Sequence, residues 1–138
     1  MRFMIIVKGT ADTEAGMMPE QKLADDMAAY HEELVAAGML IDGSGLQPTA
    51  KGFRIRWQDG GKQTVIDGPF TESKEIIAGY TIIEAASRDE ALAWAKRFPN
   101  PMGEGKDAEI EVRQLYGLED FEGVDMSRFD AIYERAKS

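Results

Sequence analysis

At the amino end apolar residues occupy both faces of one short segment: Phe3, Ile5 and Val7 share one side, Met4 and Ile6 the other. That pattern predicts a central strand covered above and below. Residues 9–18 show no periodicity and read as a loop. Pro19 suits a first helical position, because its fixed φ fits a helix and its missing N–H would be unpaired there. From there to Ala37 the spacing turns helical: Leu23, Met27, Tyr30 and Leu34 form a stripe that Ala24, Ala28, His31 and Val35 widen, with Lys22, Asp25, Asp26, Glu32 and Glu33 opposite. Gly38 supplies a left-handed stop. Met39-Leu40-Ile41 then opens a strand that runs out in Asp42-Gly43-Ser44-Gly45.

Phe53, Ile55 and Trp57 alternate with Arg54 and Arg56, which predicts a strand with one dry and one wet face. Asp59-Gly60-Gly61 is its turn, and residues 63–66 return as the hairpin partner. Asp67-Gly68-Pro69-Phe70 ends the pairing, since proline cannot donate to a ladder and glycine permits a sharp bend. A further strand is expected over residues 79–83. Ser87 and Glu90 have capping-box spacing at the start of a helix with Ala91, Trp94, Ala95 and Phe98 on one face, halted by Pro99. Ile110 and Val112 mark a last strand. Both tryptophans, Trp57 and Trp94, fall on apolar faces expected to lie in the core.

The order strand, helix, strand, hairpin, strand, helix, strand is an α+β, ferredoxin-like β-α-β-β-α-β plan with an inserted hairpin, occupying residues 1–115. Two helices cover one face of such a sheet. The other face still carries apolar residues, so a second copy packed sheet to sheet is the expected cover, making a homodimer. Residues 116–138 are too apolar for a free tail and read as a C-terminal arm and short helix that docks on the domain or its dimer partner.

Composition narrows the partners. A chain of 138 residues is expected to bury about 70% of its unfolded surface, enough for one core. Its net charge of −9 repels phosphate backbones and anionic lipid, so neither nucleic acid nor a membrane surface is an expected partner. The absence of cysteine excludes disulfides, thiolate metal sites and a cysteine nucleophile. The short apolar run at the amino end suits neither a signal peptide nor a membrane span, and a cytoplasmic location is the default expectation.

Asp67-Gly68-Pro69-Phe70-Thr71-Glu72-Ser73-Lys74-Glu75 resembles the signature of the YCII-related group in its DGPF branch. Gly45-Leu46-Gln47-Pro48, Gly79-Tyr80, the segment 109–113 and Glu119-Asp120-Phe121 are similar to that branch as well, so the likeness spans residues 1–121. The resemblance implies a dimeric α/β barrel of ferredoxin-like subunits. It also implies association of some relatives with extracytoplasmic-function sigma factors, and use by shorter relatives of a first-helix histidine with an aspartate as an acid/base pair. Counting back from Gly38, that histidine's position falls nearer Met27, one turn before His31.

His31 is the sole histidine, on the stripe that faces the sheet. Two roles are open to it: a core imidazole bonded to a backbone carbonyl, or a general acid/base oriented by Asp67, which ends a strand at the tight turn. Asp67 has its own alternative, bonding its own backbone to shape the turn. In the acid/base reading Tyr30 and Phe70 wall a pocket, and Ser44, Glu72 and Lys74 bind substrate. Proton abstraction, elimination or isomerisation of a small molecule would follow, without a cofactor. One histidine among scattered carboxylates has no metal-ligand spacing, so no metal is expected. The rival function is a non-catalytic dimeric module that senses a ligand or touches a protein such as a sigma factor.

Overall fold

A computed structural model describes residues 1–71 and 75–137. The chain runs β1 (Arg2–Lys8), α1 (Ala11–Glu14), α2 (Gln21–Ala36), β2 (Leu40–Gly45), β3 (Phe53–Gln58), β4 (Lys62–Asp67), β5 (Ile77–Glu84), α3 (Arg88–Lys96), β6 (Ile110–Gln114) and α4 (Ser127–Lys137), with 3-10 turns at Thr49–Lys51 and Leu118–Asp120. Four strands form an antiparallel sheet in the order β2-β5-β1-β6, and β3-β4 is a separate two-stranded hairpin. Setting the hairpin aside, this is the ferredoxin-like β-α-β-β-α-β arrangement.

Local chemistry explains most element ends. Helix α2 stops in a Schellman motif: Gly38, at φ 72°, donates its N–H to Val35 O, and Met39 donates to Leu34 O. It starts two residues later than the proline suggested, with Glu20 in extended backbone as its cap and Pro19 just outside. Segment 9–18 is not wholly irregular, because the Thr10 and Thr13 hydroxyls cap one short turn, α1. Ser87 caps α3 by accepting the Glu90 N–H, while the Glu90 carboxylate accepts from the Ala86 N–H rather than from Ser87, so the expected box closes one residue early.

Phe3 and Ile5 of β1 and Ile83 of β5 meet Tyr30 and Leu34 of α2 and Ala91 of α3 in the main core. The second sheet face carries Met4, Ile6 and Ile82, edged by polar groups: Lys8 pairs with Glu111 at 3.3 Å, and the Tyr80 hydroxyl donates to Asp42 at 3.2 Å. Trp94 packs against the core as expected. Trp57 does not, because among the described residues β3 and β4 pair only with each other and the hairpin's apolar face stays exposed.

The hairpin is seated through its base. Gly68 donates its N–H to Gly52 O at 3.0 Å, Phe70 donates its N–H to Thr49 Oγ1 at 3.0 Å, and the Thr49 hydroxyl donates to a carboxylate oxygen of Glu14. The Arg54 guanidinium lies 3.8 Å over the Phe70 ring, a cation–π contact that closes the same corner.

Candidate functional site

A cavity of about 1120 Å³ opens between α2 and the β2–β5 side of the sheet. Its origin is a lack of side chains. Antiparallel register sets Gly43 opposite Thr81 and Gly45 opposite Gly79, so the helix-facing surface there presents three glycines and one threonine. Toward the other end of the sheet Phe3 of β1 and Ile83 of β5 fill the interlayer space. The volume lies just above the usual span of small-molecule sites, roughly 300–1,000 Å³.

His31 and Thr81 lie at the floor. The imidazole Nδ1 is 2.7 Å from Met27 O, one helical turn back, and Nε2 is 2.9 Å from Thr81 Oγ1. A carbonyl only accepts, so Nδ1 carries the hydrogen in the neutral ring, and the lone pair on Nε2 accepts the Thr81 hydroxyl. Thr81 is buried in the middle of β5, and this bond satisfies it. A Cβ added at Gly43 would stand 3.4 Å from both His31 Nε2 and Thr81 Oγ1, so this glycine keeps the space beside the pair open.

The walls are mainly apolar, with Met17, Met27, Met102 and Phe98 prominent. Asn100 shapes one wall by donating to Lys106 O at 2.7 Å and accepting the Met102 N–H at 3.0 Å. The Thr10 hydroxyl is 3.3 Å from Met102 Sδ, which ties that wall to the β1–α1 turn. Lys22 lies at the rim, 2.8 Å from Asp26 and 3.7 Å from Glu104.

Of the residues singled out from sequence, the cavity brings together His31 and Ser44. Tyr30 points into the core: its hydroxyl donates to Trp94 O at 2.8 Å and its ring meets His31, Trp94 and Phe98 edge-on. Phe70 lies under Arg54 at the hairpin base and is not among the lining side chains. Asp67 ends β4 opposite Phe53, and both ring nitrogens of His31 are satisfied elsewhere, so a His31–Asp67 pair is not formed among the described residues. Glu72 and Lys74 lie outside the described residues. Among the described residues no cluster of histidine and carboxylates could hold a metal ion, and no helix is long and apolar enough to cross a membrane.

Sequence reasoning missed Thr81 and the glycine floor. One signal was available: a threonine inside the apolar strand 79–83 needs a partner once buried, and a lone histidine on the facing helix offers one.

Burial pushes the Tyr30 phenol from 10.0 up to about 12, against a smaller opposing effect of Arg97. The unfolded chain releases that proton near the lower value and the folded chain near the higher one, so this contribution to stability is complete below about pH 10 and lost towards pH 12. The stability advantage of wild type over Tyr30→Phe is therefore expected to shrink across that window, as urea titrations at stepped pH will show.

Fold and cavity together define a ferredoxin-like α+β domain with a histidine-floored cleft of small-molecule size. The chain belongs to the YCII-related family, whose domain model matches residues 1–115. It is 33% identical over 97 residues to an uncharacterised protein of Rhizobium meliloti (strain 1021), an alignment that covers 70% of this chain and 77% of that protein. Among solved structures it is similar to the 5-chloro-2-hydroxyhydroquinone dehydrochlorinase of Burkholderia phenoliruptrix AC1100 in complex with 2,5-dihydroxybenzoquinone, with 19% identity, a TM-score of 0.43, and coverage of 87% of this chain and 98% of that one.

Proposed function

We propose that the chain is a cofactor-independent enzyme that moves a proton on a small, largely apolar molecule, with His31 Nε2 as the base and then the acid. One observation carries this reading: the sole imidazole, with Nδ1 fixed by Met27 O, accepts at Nε2 the hydroxyl of Thr81 at 2.9 Å, and both residues line the cleft. In the forward step a C–H or O–H hydrogen of the ligand passes to Thr81 Oγ1 as the Thr81 hydroxyl hydrogen passes to Nε2, and the ligand's electron pair stays on the ligand. The proton then returns to another ligand atom in isomerisation, or the electron pair expels a leaving group in elimination. Thr81 holds the ring and turns from donor to acceptor when Nε2 gains the proton. Ser44 reaches the cleft only through its backbone, because its side chain alternates to the sheet face opposite Gly43 and Gly45. The role expected of Asp67 falls instead to the Met27 carbonyl, and the working unit is a homodimer.

The test is a titration with para-nitrophenol, a planar and ionisable probe, followed by the ring ¹⁵N resonances of the single histidine. The imidazole is expected to show the Nδ1–H pattern before addition and to shift with saturation afterwards. His31→Gln should bind the probe at least about tenfold more weakly, the effect of one hydrogen bond to a charged group, while remaining folded. An imidazole that stays unmoved by this phenol and by a set of enolisable aryl ketones removes the proposed base.

A further inference from the structure

Two elements of this chain lack the cover they need to be stable. A two-stranded hairpin is at best marginal in water unless its apolar face packs on something. Here Phe53, Ile55, Trp57 and Val65 share one face of β3–β4 and are between 44% and 65% exposed. An eleven-residue helix is likewise marginal by itself. On α4, Phe129, Ile132 and Tyr133 form a stripe at helical spacing and are between 43% and 50% exposed.

The chain does not close these two faces on each other, and its layout explains why. The hairpin is rooted where β1 ends: Thr49 bonds Glu14, just past Lys8, and Leu46 bonds Ala78. Helix α4 sits where β1 begins: Leu115 donates to Arg2 O, and Asp130 shares a groove with Met1, Arg2 and Glu84. Seven residues of strand put roughly 20 Å between those two ends.

Charge is complementary as well. Segment 51–67 carries Lys51, Arg54, Arg56 and Lys62 against Asp59 and Asp67, whereas residues 116–138 carry six carboxylates against three bases. The hairpin is thus net positive in a chain that is net −9, and the arm is net negative.

We infer that the occupant of each face is the other element in a second copy of this chain: the α4 stripe of one protomer lies on the hairpin of its partner, and the reverse. A two-fold axis that sets two sheets face to face in opposite directions brings the end of one sheet carrying α4 beside the end of the other carrying the hairpin. One operation then closes both contacts. The inference rests on the homodimer reading and adds to it a clasp of stated composition.

Hydrogen exchange on the unmodified chain, run from nanomolar to high micromolar with light scattering in parallel, tests both levels. The expected result is a dimer at high concentration in which peptides within 53–67 and 127–137 gain protection together, with one midpoint. A chain that stays monomeric throughout overturns the homodimer and the clasp with it. A dimer in which only one segment, or neither, gains protection overturns the clasp and leaves the homodimer standing. Since the chain has no cysteine, mixing Trp57→Cys with Tyr133→Cys under mild oxidation adds an independent readout. Disulfide dimers are expected in the mixture at several times the yield of either variant alone, and equal yields count against the pairing.

Discussion

Replacing Gly68 by alanine is expected to unseat the hairpin and to cost about 3 kcal/mol or more of stability, from overpacking plus two lost hydrogen bonds. An added Cβ would stand 1.8 Å from Thr49 O and 2.6 Å from the Thr49 carbonyl carbon. Both are backbone atoms, so no rotamer change relieves the clash. Either the Thr49–Lys51 turn or the base of β4 has to move, and each movement breaks the Gly68–Gly52 and Phe70–Thr49 bonds. Urea unfolding will measure the loss, and limited proteolysis should show new cleavage between residues 53 and 67. A wild-type midpoint would mean that the turn yields without cost and that the hairpin is held by something else. The result bears on function because the inferred clasp depends on a hairpin held at a fixed angle to the sheet.

The second large effect is expected from Leu34→Ala, at about 2–5 kcal/mol, the range for emptying a fully buried leucine site. Leu34 is fully buried where α2 meets Phe3, Ile5 and Ile83, and its carbonyl accepts the Met39 N–H that terminates the helix. It also lies three residues beyond His31 on the same helix, so a looser seat for α2 is felt at the His31–Thr81 bond. The variant should unfold at lower urea with a similar m-value. Its imidazole resonances should lose the well-defined Nδ1–H pattern even where the fold persists. A stable variant with an unchanged imidazole would show that the core and the cleft are mechanically separate.

The two exposed apolar faces illustrate how a correct sequence pattern can still mislead. Alternation in residues 53–57 separates an apolar face from a charged one, but the dry face and the core Trp57 expected from it are not found, since every residue of β3 is exposed. The pattern says that a face needs cover and is silent on whether the cover belongs to the same chain. In the structure β3 pairs with β4 alone and the face stays open. The C-terminal segment repeats the point. Its apolar residues mark it as a docking element, and the helix at Ser127–Lys137 presents them on one half-exposed stripe.

At the cleft, what was legible was the histidine and its direction. The helical period put His31 on the sheet-facing stripe; the ring bonds a backbone carbonyl, as one reading had it, and lines an open cavity, while the Asp67 partner of the other reading is not found beside it among the described residues. Tyr30, its neighbour on the wheel, was expected to wall that cavity and instead turns its hydroxyl into the core toward Trp94 O. One residue of helix is a rotation of about 100°, enough to separate a core position from a cleft position.

Taken alone, the sequence determined the features whose causes lie within a few residues. These are the long helix ended by Gly38, the turn at Asp59-Gly60-Gly61, the order of the main strands and helices, and hence the ferredoxin-like class. Caps, turns and periodicity are short-range physics, so they can be read from short windows. Only the tertiary structure decided what His31 faces. Thr81 is fifty positions away along the chain, and the glycines beside it come from two strands brought into register by pairing. That register is set by which faces of the whole sheet must be buried, so the empty space and the hydroxyl that make the cleft emerge only when the layers close.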